Sequence, residues 1–358
     1  MPGVDLIEGV EIAASPEGAL RSFSSDEAVA VAVPDLTRSL DLPGALRAVY
    51  QRLSRPGPVV VGLGLHRRMT VDELGPIAQW TPLQHDPDDV VATAAVNGIR
   101  GTVSRAIAEA PWSIGVGVAE LHQYAGLSGG HKGVAVGCGG RETIAALHHR
   151  DGVTAEGVAV GRLEGNPFRE TVDRLGEAAR CRLALVFVPA AGVWIAGEPT
   201  AVLRAALERM QPWWTVSAAF DGAIVHVDGG KAVSLYQASR AATYLSESPR
   251  PPLHPGATIV VAAACTEGMG AESGFRAAME GTAPPWTALL SGDPPAGPGA
   301  QRAVMIARLA QRYRLRVMGC KRPDALRAFG IDATDAPPPT GPTWLQVPQP
   351  FQQLPQLA

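Results

Sequence analysis

An uninterrupted apolar run, Ser113–Ala119, empties into the loop Glu120-Leu121-His122-Gln123-Tyr124-Ala125-Gly126-Leu127-Ser128-Gly129-Gly130-His131-Lys132. This junction constrains the fold more than any other feature of the chain. A short run with no polar alternation reads as a strand buried on both faces, and such a strand needs helices over both. The same order recurs along the chain. Ala28–Val33 and Pro58–Leu63 read as strands around a helix at Pro43–Leu53, and a short strand is expected at Leu83–His85. Thr70 with Glu73 three residues on is a capping-box pattern. Helices are predicted over Thr102–Ala110, Arg141–His149 and Phe168–Ala179, and a strand over Leu183–Val188. Further on, strands are predicted at Gly222–Val227, Thr258–Ala264 and Leu315–Met318, with helices at Leu235–Tyr244 and Arg302–Tyr313. Alternation of this kind predicts an α/β fold with mostly parallel or mixed sheets flanked by helices.

At 358 residues the chain exceeds the size at which one core keeps growing, so two domains are expected, 1–204 and 205–358. The 40 glycines and 31 prolines follow no period, which fits many turns. A net charge of -3 and the lack of any long Lys/Arg block argue against a nucleic-acid partner. Cys138, Cys181, Cys265 and Cys320 are scattered without a CxxC, which fits a reducing, cytoplasmic setting. Met1–Asp5 lacks the charged and apolar regions of a signal peptide. Apolar runs such as Ala257–Ala264 are too short to cross a bilayer, so no membrane partner is expected. The tail from Ala336, rich in proline and glutamine, is expected to carry little regular structure.

Ligands of open α/β sheets bind beyond the carboxyl ends of the strands. Three strand ends there carry chemistry. Asp35 and Arg38 follow the first strand; the arginine fork suits a carboxylate or phosphate, although an Asx-turn with a surface ion pair explains the same residues. His66 and His122 follow two others, and imidazole takes and returns protons near neutral pH. Lys132 sits among small residues that permit close ligand approach, and its amine suits phosphate binding or carbonyl chemistry; the Walker pattern is absent. His148 is placed on the predicted helix as a candidate metal ligand, with an exposed histidine pair, His148-His149, as the plainer reading. Gln237 and Arg240, three apart, share a helix face. His85-Asp86 reads as a mutually orienting pair, Glu120 as a brace for a histidine, and Cys265–Gly270 as either a ligand-contacting or an ordinary turn.

Taken in order, these motifs resemble the nickel-dependent lactate racemase family of 2-hydroxyacid racemases and epimerases. The pieces are Asp35-x-Thr37-Arg38, Gly62-x-Gly64-x-His66-Arg67, Glu120-x-His122 through Gly129-Gly130-His131-Lys132, Gly140-x-Glu142-Thr143-Ile144, His148 and Gly165-Asn166-Pro167. Leu235-Tyr236-Gln237 and Ala264-Cys265-x-Glu267-Gly268-x-Gly270 complete the set. The resemblance implies a covalent nickel-pincer nucleotide (a pyridinium-3-thioamide-5-thiocarboxylic acid mononucleotide) linked at Lys132, with His148 on nickel. It implies His66 and His122 as the acid/base pair, and Asp35, Arg38, Gln237 and Arg240 around a small-molecule 2-hydroxy acid. It further implies an N-terminal catalytic and cofactor-binding domain, a C-terminal domain closing an interdomain cleft, and other proteins that make the cofactor. Arg240 stands where the family commonly has lysine, and His131 where arginine is common. An NAD-dependent 2-hydroxyacid oxidoreductase is the alternative enzyme, but the GxGxxG fingerprint is absent after the first strand. A noncatalytic nucleotide- or metal-binding protein is the other class.

Overall fold

The computed structural model describes residues 3–291, 297–339 and 343–358. Met1 and Pro2, within the segment read above as no signal peptide, and Thr340–Pro342, within the tail, lie outside the described residues. The chain divides into two compact units. The first comprises the segments up to Glu120, Ala125–Leu147 and Glu156–Met210; the second takes Leu121–Tyr124, His148–Ala155 and the chain from Gln211. The break expected at 204/205 falls inside the helix Pro199–Met210, and the units separate after it.

The first unit is built on seven strands: β1 (Val10–Ala13), β2 (Val29–Pro34), β3 (Pro56–Gly62), β4 (Leu83–Gln84), β5 (Ser113–Val118), β6 (Cys181–Val188) and β7 (Val193–Gly197), in the order β1-β7-β6-β5-β2-β3-β4. The five from β6 to β4 run parallel, and β7 and β1 add antiparallel at one edge. Strand order reverses between β2 and β5, so this unit has a topological switch point there. Period-two alternation sorts the side chains. Val31, Val33, Val59, Val61, Ile114 and Val116 meet Ala45, Leu46 and Val49 of helix α1 (Leu42–Tyr50) on one face. The other face carries small residues, among them Ala30, Ala32, Gly115 and Gly117. There a Cβ on Gly115 would lie 3.1 Å from the Gly130 carbonyl oxygen, so the backbone of 129–137 rests directly on the sheet.

In the second unit a five-stranded all-parallel sheet joins β9 (Phe220–His226), β10 (Leu253–Ala262), β11 (Arg314–Met318), β12 (Asp332–Ala333) and β13 (Trp344–Val347) in the order β12-β11-β10-β9-β13. A separate parallel pair joins β8 (Trp213–Val216) to β14 (Leu354–Leu357). The tail is therefore corrected: it contributes two strands. Leu345, Val347 and Leu354 are buried, and this apolar spacing outweighs the prolines around them. The ring of Trp344 occupies the space a side chain on Gly222 would need. Gly222→Val is expected to cost about 1–3 kcal/mol by overpacking and to release the 344–347 strand, read as loss of hydrogen-exchange protection there.

Two predicted helices are trimmed. Thr102–Ser104 is a strand paired antiparallel with Val90–Ala92, and helix begins only at Arg105, because Thr102 and Val103 favour strand. The helix from Arg141 ends at Leu147, so His148 lies in the turn beyond it, where the chain passes into the second unit. No helix among the described residues is long and apolar enough to cross a membrane.

Candidate active site

Three chemistry-bearing segments meet at the carboxyl ends of the first unit's strands. Pro34 ends β2, and Asp35 turns the chain: its Oδ1 accepts from the Thr37 backbone N–H (3.0 Å) and from the Thr37 hydroxyl (2.5 Å). Its other oxygen, Oδ2, lies 2.7 Å from Nδ1 of His66, which follows β3. Burial pushes the Asp35 carboxyl upward, but His66, Thr37 and Arg38 outweigh that and hold it well below the ordinary carboxylate range. An ionised carboxylate can only accept, so Nδ1 carries a proton, and the tautomer this selects leaves Nε2 as the acceptor. The His66 side chain is 29% exposed, which leaves it open to a ligand.

Arg38 reaches across the switch point. Its Nη1 donates to Glu120 Oε2 at 2.8 Å, joining the segment after β2 to the segment after β5. The rest of its guanidinium makes no hydrogen bond among the described residues, so the fork retains donors for an anion. Glu120 was expected to brace a histidine; the pairing seen is with Arg38. Its backbone N–H is held in turn by the Ser128 hydroxyl, which donates to the Val118 carbonyl.

Lys132 opens the short helix Lys132–Ala135, half-buried, and Gly133 beside it has open space where a side chain would stand. Its neighbour His131 is turned inward and buried, with Nδ1 3.0 Å from Asp173 Oδ1. Arg169, also buried, grips Asp173 with Nε and Nη2 at 3.1 and 2.6 Å. His131 thus anchors the lysine segment to the helix Pro167–Ala178. Burial pushes the Asp173 carboxyl upward, yet the His131 hydrogen bond and the Arg169 charge prevail, and its pKa is lowered. A depressed native pKa stabilises the fold above the unfolded value of about 3.9, and that contribution is lost as pH falls through the native value. Asp173→Asn, which leaves Arg169 buried without its acid, is expected to cost about 3 kcal/mol at pH 7. The difference from the parent should shrink below pH about 4, as urea unfolding at pH 7 and at pH 3 would show.

The second unit holds the other candidates. His122 and His148 flank Tyr124, whose ring centroid lies 5.8 Å from that of His122 and 5.9 Å from that of His148, both edge-on. Burial pushes the Tyr124 hydroxyl up to about 12, so it stays protonated. The Tyr124 backbone N–H donates to Nδ1 of His122 at 3.3 Å, which sets the neutral ring with its proton on Nε2. The two candidate acid/base histidines are therefore held in opposite tautomers. Leu121, one residue earlier, donates its N–H to the Phe351 carbonyl at 2.7 Å, tying this strip into the second unit.

Gln237 and Arg240 lie on helix α2 (Leu235–Ser246), buried along its whole length, and Arg240 donates through Nη2 to Gln237 Oε1. The Arg240 guanidinium also lies 5.8 Å from the Tyr236 ring centroid. The Cys265–Gly270 turn braces the start of this helix, since Gly268 and Met269 carbonyls accept from the Leu235 and Tyr236 N–H groups. Its cysteine is buried, with the thiol pushed up to about 12, foremost by that burial. His85 binds the Gly139 carbonyl at 2.8 Å instead of orienting Asp86, and His149 caps the helix Arg150–Val153. The sites divide: Asp35, Arg38, His66 and Lys132 belong to the first unit, and His122, His148, Gln237 and Arg240 to the second. Tyr124 was missed by sequence reasoning, although its place two residues after His122 was a signal.

Residues 14–160 match the family model described as the lactate racemase N-terminal domain. A search of curated proteins by sequence returns no match. Among solved structures, the lactate racemase apoprotein from Thermoanaerobacterium thermosaccharolyticum superposes with a TM-score of 0.77 at 16% identity, covering 93% of this chain and 87% of that one. A structural-genomics protein from Thermotoga maritima gives 0.72 at 14% identity, covering 96% of each chain. At these identities the two structures establish the fold.

Proposed function

We propose that this chain, whose residues 14–160 match the lactate racemase N-terminal domain, is a racemase or epimerase of a 2-hydroxy acid that works with a covalently held nickel-pincer nucleotide. The observation that carries this reading is the opposite tautomers of His66 and His122. Inverting a hydroxyl-bearing carbon by way of its keto form needs one group to take the hydroxyl proton and another to return it. His66 Nε2, left as an acceptor by the hydrogen bond from Nδ1 to the Asp35 carboxylate, takes the proton; His122 Nε2–H gives one. Arg38, steadied by Glu120, holds the substrate carboxylate through its remaining donors. Gln237 and Arg240, hydrogen-bonded to one another on helix α2, are the substrate-contacting pair that the family resemblance implies.

The residues present fit the cofactor. Lys132 supplies a primary amine for the covalent link, with open space at Gly133 beside it. His148 supplies one imidazole. No group of three or more His, Cys, Asp or Glu side chains able to hold a metal ion occurs among the described residues, so in this reading the organic ligand would supply the remaining donors to nickel. When bound, the nucleotide would supply a reversible acceptor for the hydride on the substrate's C2, giving access to a planar 2-keto acid. The protein's part is to hold the carboxylate, move the hydroxyl proton and keep water out.

The test is production of the full chain together with cofactor-making proteins, followed by peptide mass spectrometry, nickel analysis and chiral chromatography of 2-hydroxy acids. A nucleotide adduct on Lys132 with near-stoichiometric nickel and loss of optical purity is the expected result. An unmodified Lys132 in a host that loads a known lactate racemase would overturn the proposal.

A further inference from the structure

Arg302 is a buried cation, 4% exposed, with no acid paired to it among the described residues. It lies in the first turn of helix α3 (Ala300–Ala310), where the helix dipole already disfavours a positive charge. Its Nη1 donates to Gln123 Oε1 (2.8 Å) and to the Thr243 hydroxyl (3.0 Å), both neutral oxygens. The Thr243 hydroxyl also reaches Gln123 Oε1 at 2.9 Å. That fixes the amide orientation, because turning it over would set NH2 against the guanidinium. Two donors then stay without a partner: Nε of Arg302 and Nε2 of Gln123. Both belong to side chains 4% exposed, and each unmet donor carries a desolvation cost. A buried guanidinium and an adjoining amide, each with a spare N–H, form a receptor for a carboxylate.

Gln123 directly follows His122, one residue of the proposed proton transfer, and Thr243 lies on the helix that carries Gln237 and Arg240. We propose that Arg302 and Gln123 form a specificity subsite for a second carboxylate, so that the substrate is a 2-hydroxy dicarboxylic acid. This rests on the function proposed above, and it assigns the substrate class.

The test is calorimetric titration of the full chain with malate, lactate and chloride at matched ionic strength. Malate is expected to bind on the order of 30-fold more tightly than lactate, the scale at which one buried charge contact is read. Arg302→Met and, separately, Gln123→Leu should bring malate affinity down toward that of lactate, with circular dichroism confirming the fold. Equal affinity for malate and lactate in the parent overturns the subsite, a result that depends on no variant. A malate preference retained in both folded variants, or matched by chloride, overturns it too. Turnover separates the two ideas. A fully loaded enzyme that racemises both acids with equal kcat/KM keeps the proposed function and sinks the subsite. Malate binding through Arg302 with no isomerisation of any 2-hydroxy acid keeps the subsite and sinks the function.

Discussion

Lys132→Ala, produced alongside cofactor-making proteins, is expected to yield a folded chain with no nucleotide adduct and no racemisation. The loss is complete because no other side chain replaces the covalent link, whereas a truncation at a half-buried position costs roughly 0.5 kcal/mol or less in stability. The segment stays in place without the amine: Gly115 and Gly117 let its backbone lie on the sheet, and His131 anchors it to Asp173. Intact mass and thermal melting measured on one sample separate the outcomes. An adduct that persists in Lys132→Ala moves the attachment elsewhere and defeats the assignment.

The second large effect falls on turnover with loading intact. Asp35→Asn is expected to lower kcat by about 10²–10⁴-fold, the range associated with losing one general acid–base group. The carboxylate accepts the Nδ1 proton of His66 and thereby leaves Nε2 as the acceptor that the proposed base needs. An amide can present N–H to Nδ1 instead, which reverses the tautomer and removes the base. Because the Asp35 pKa is held below the ordinary range, the parent keeps this carboxylate ionised throughout neutral and mildly acidic pH. Its contribution to stability is likewise full above about pH 4 and fades as pH falls through the native value. Adduct mass and nickel content should match the parent. An unchanged kcat in a fully loaded Asp35→Asn enzyme would show that His66 is not the base.

Local patterns in the sequence reached much of this. The buried strands at 29–34, 56–62, 113–118 and 181–188 announce themselves by composition, and the Thr70–Glu73 capping box forms as its spacing requires. His66 and His122 stood out by following apolar runs, and Lys132 by the small residues around it. The misses share a cause. The tail strand Trp344–Val347 owes its place to Gly222, far away in the chain, and its own residues look like a proline-rich coil. Arg302 read as one more helical residue, since nothing in Arg302–Tyr313 reveals that no acid among the described residues pairs with it. The one local hint was a cation in the first turn of an apolar helix.

What the sequence by itself determined is the kind of element at each position and the chemistry on offer at its end. Side-chain periodicity and capping act over a few residues, and the chain states them directly. What only the tertiary structure decided is pairing. Glu120 meets Arg38 across 82 positions, and His66 meets Asp35 across 31. Tyr124 stands between two histidines, and Arg302 rests on Gln123 across 179. Those partners are set by strand order, here by the reversal between β2 and β5 and by the passage of Leu121–Tyr124 into the second unit. Strand order follows from how whole faces pack, which no short stretch of sequence contains.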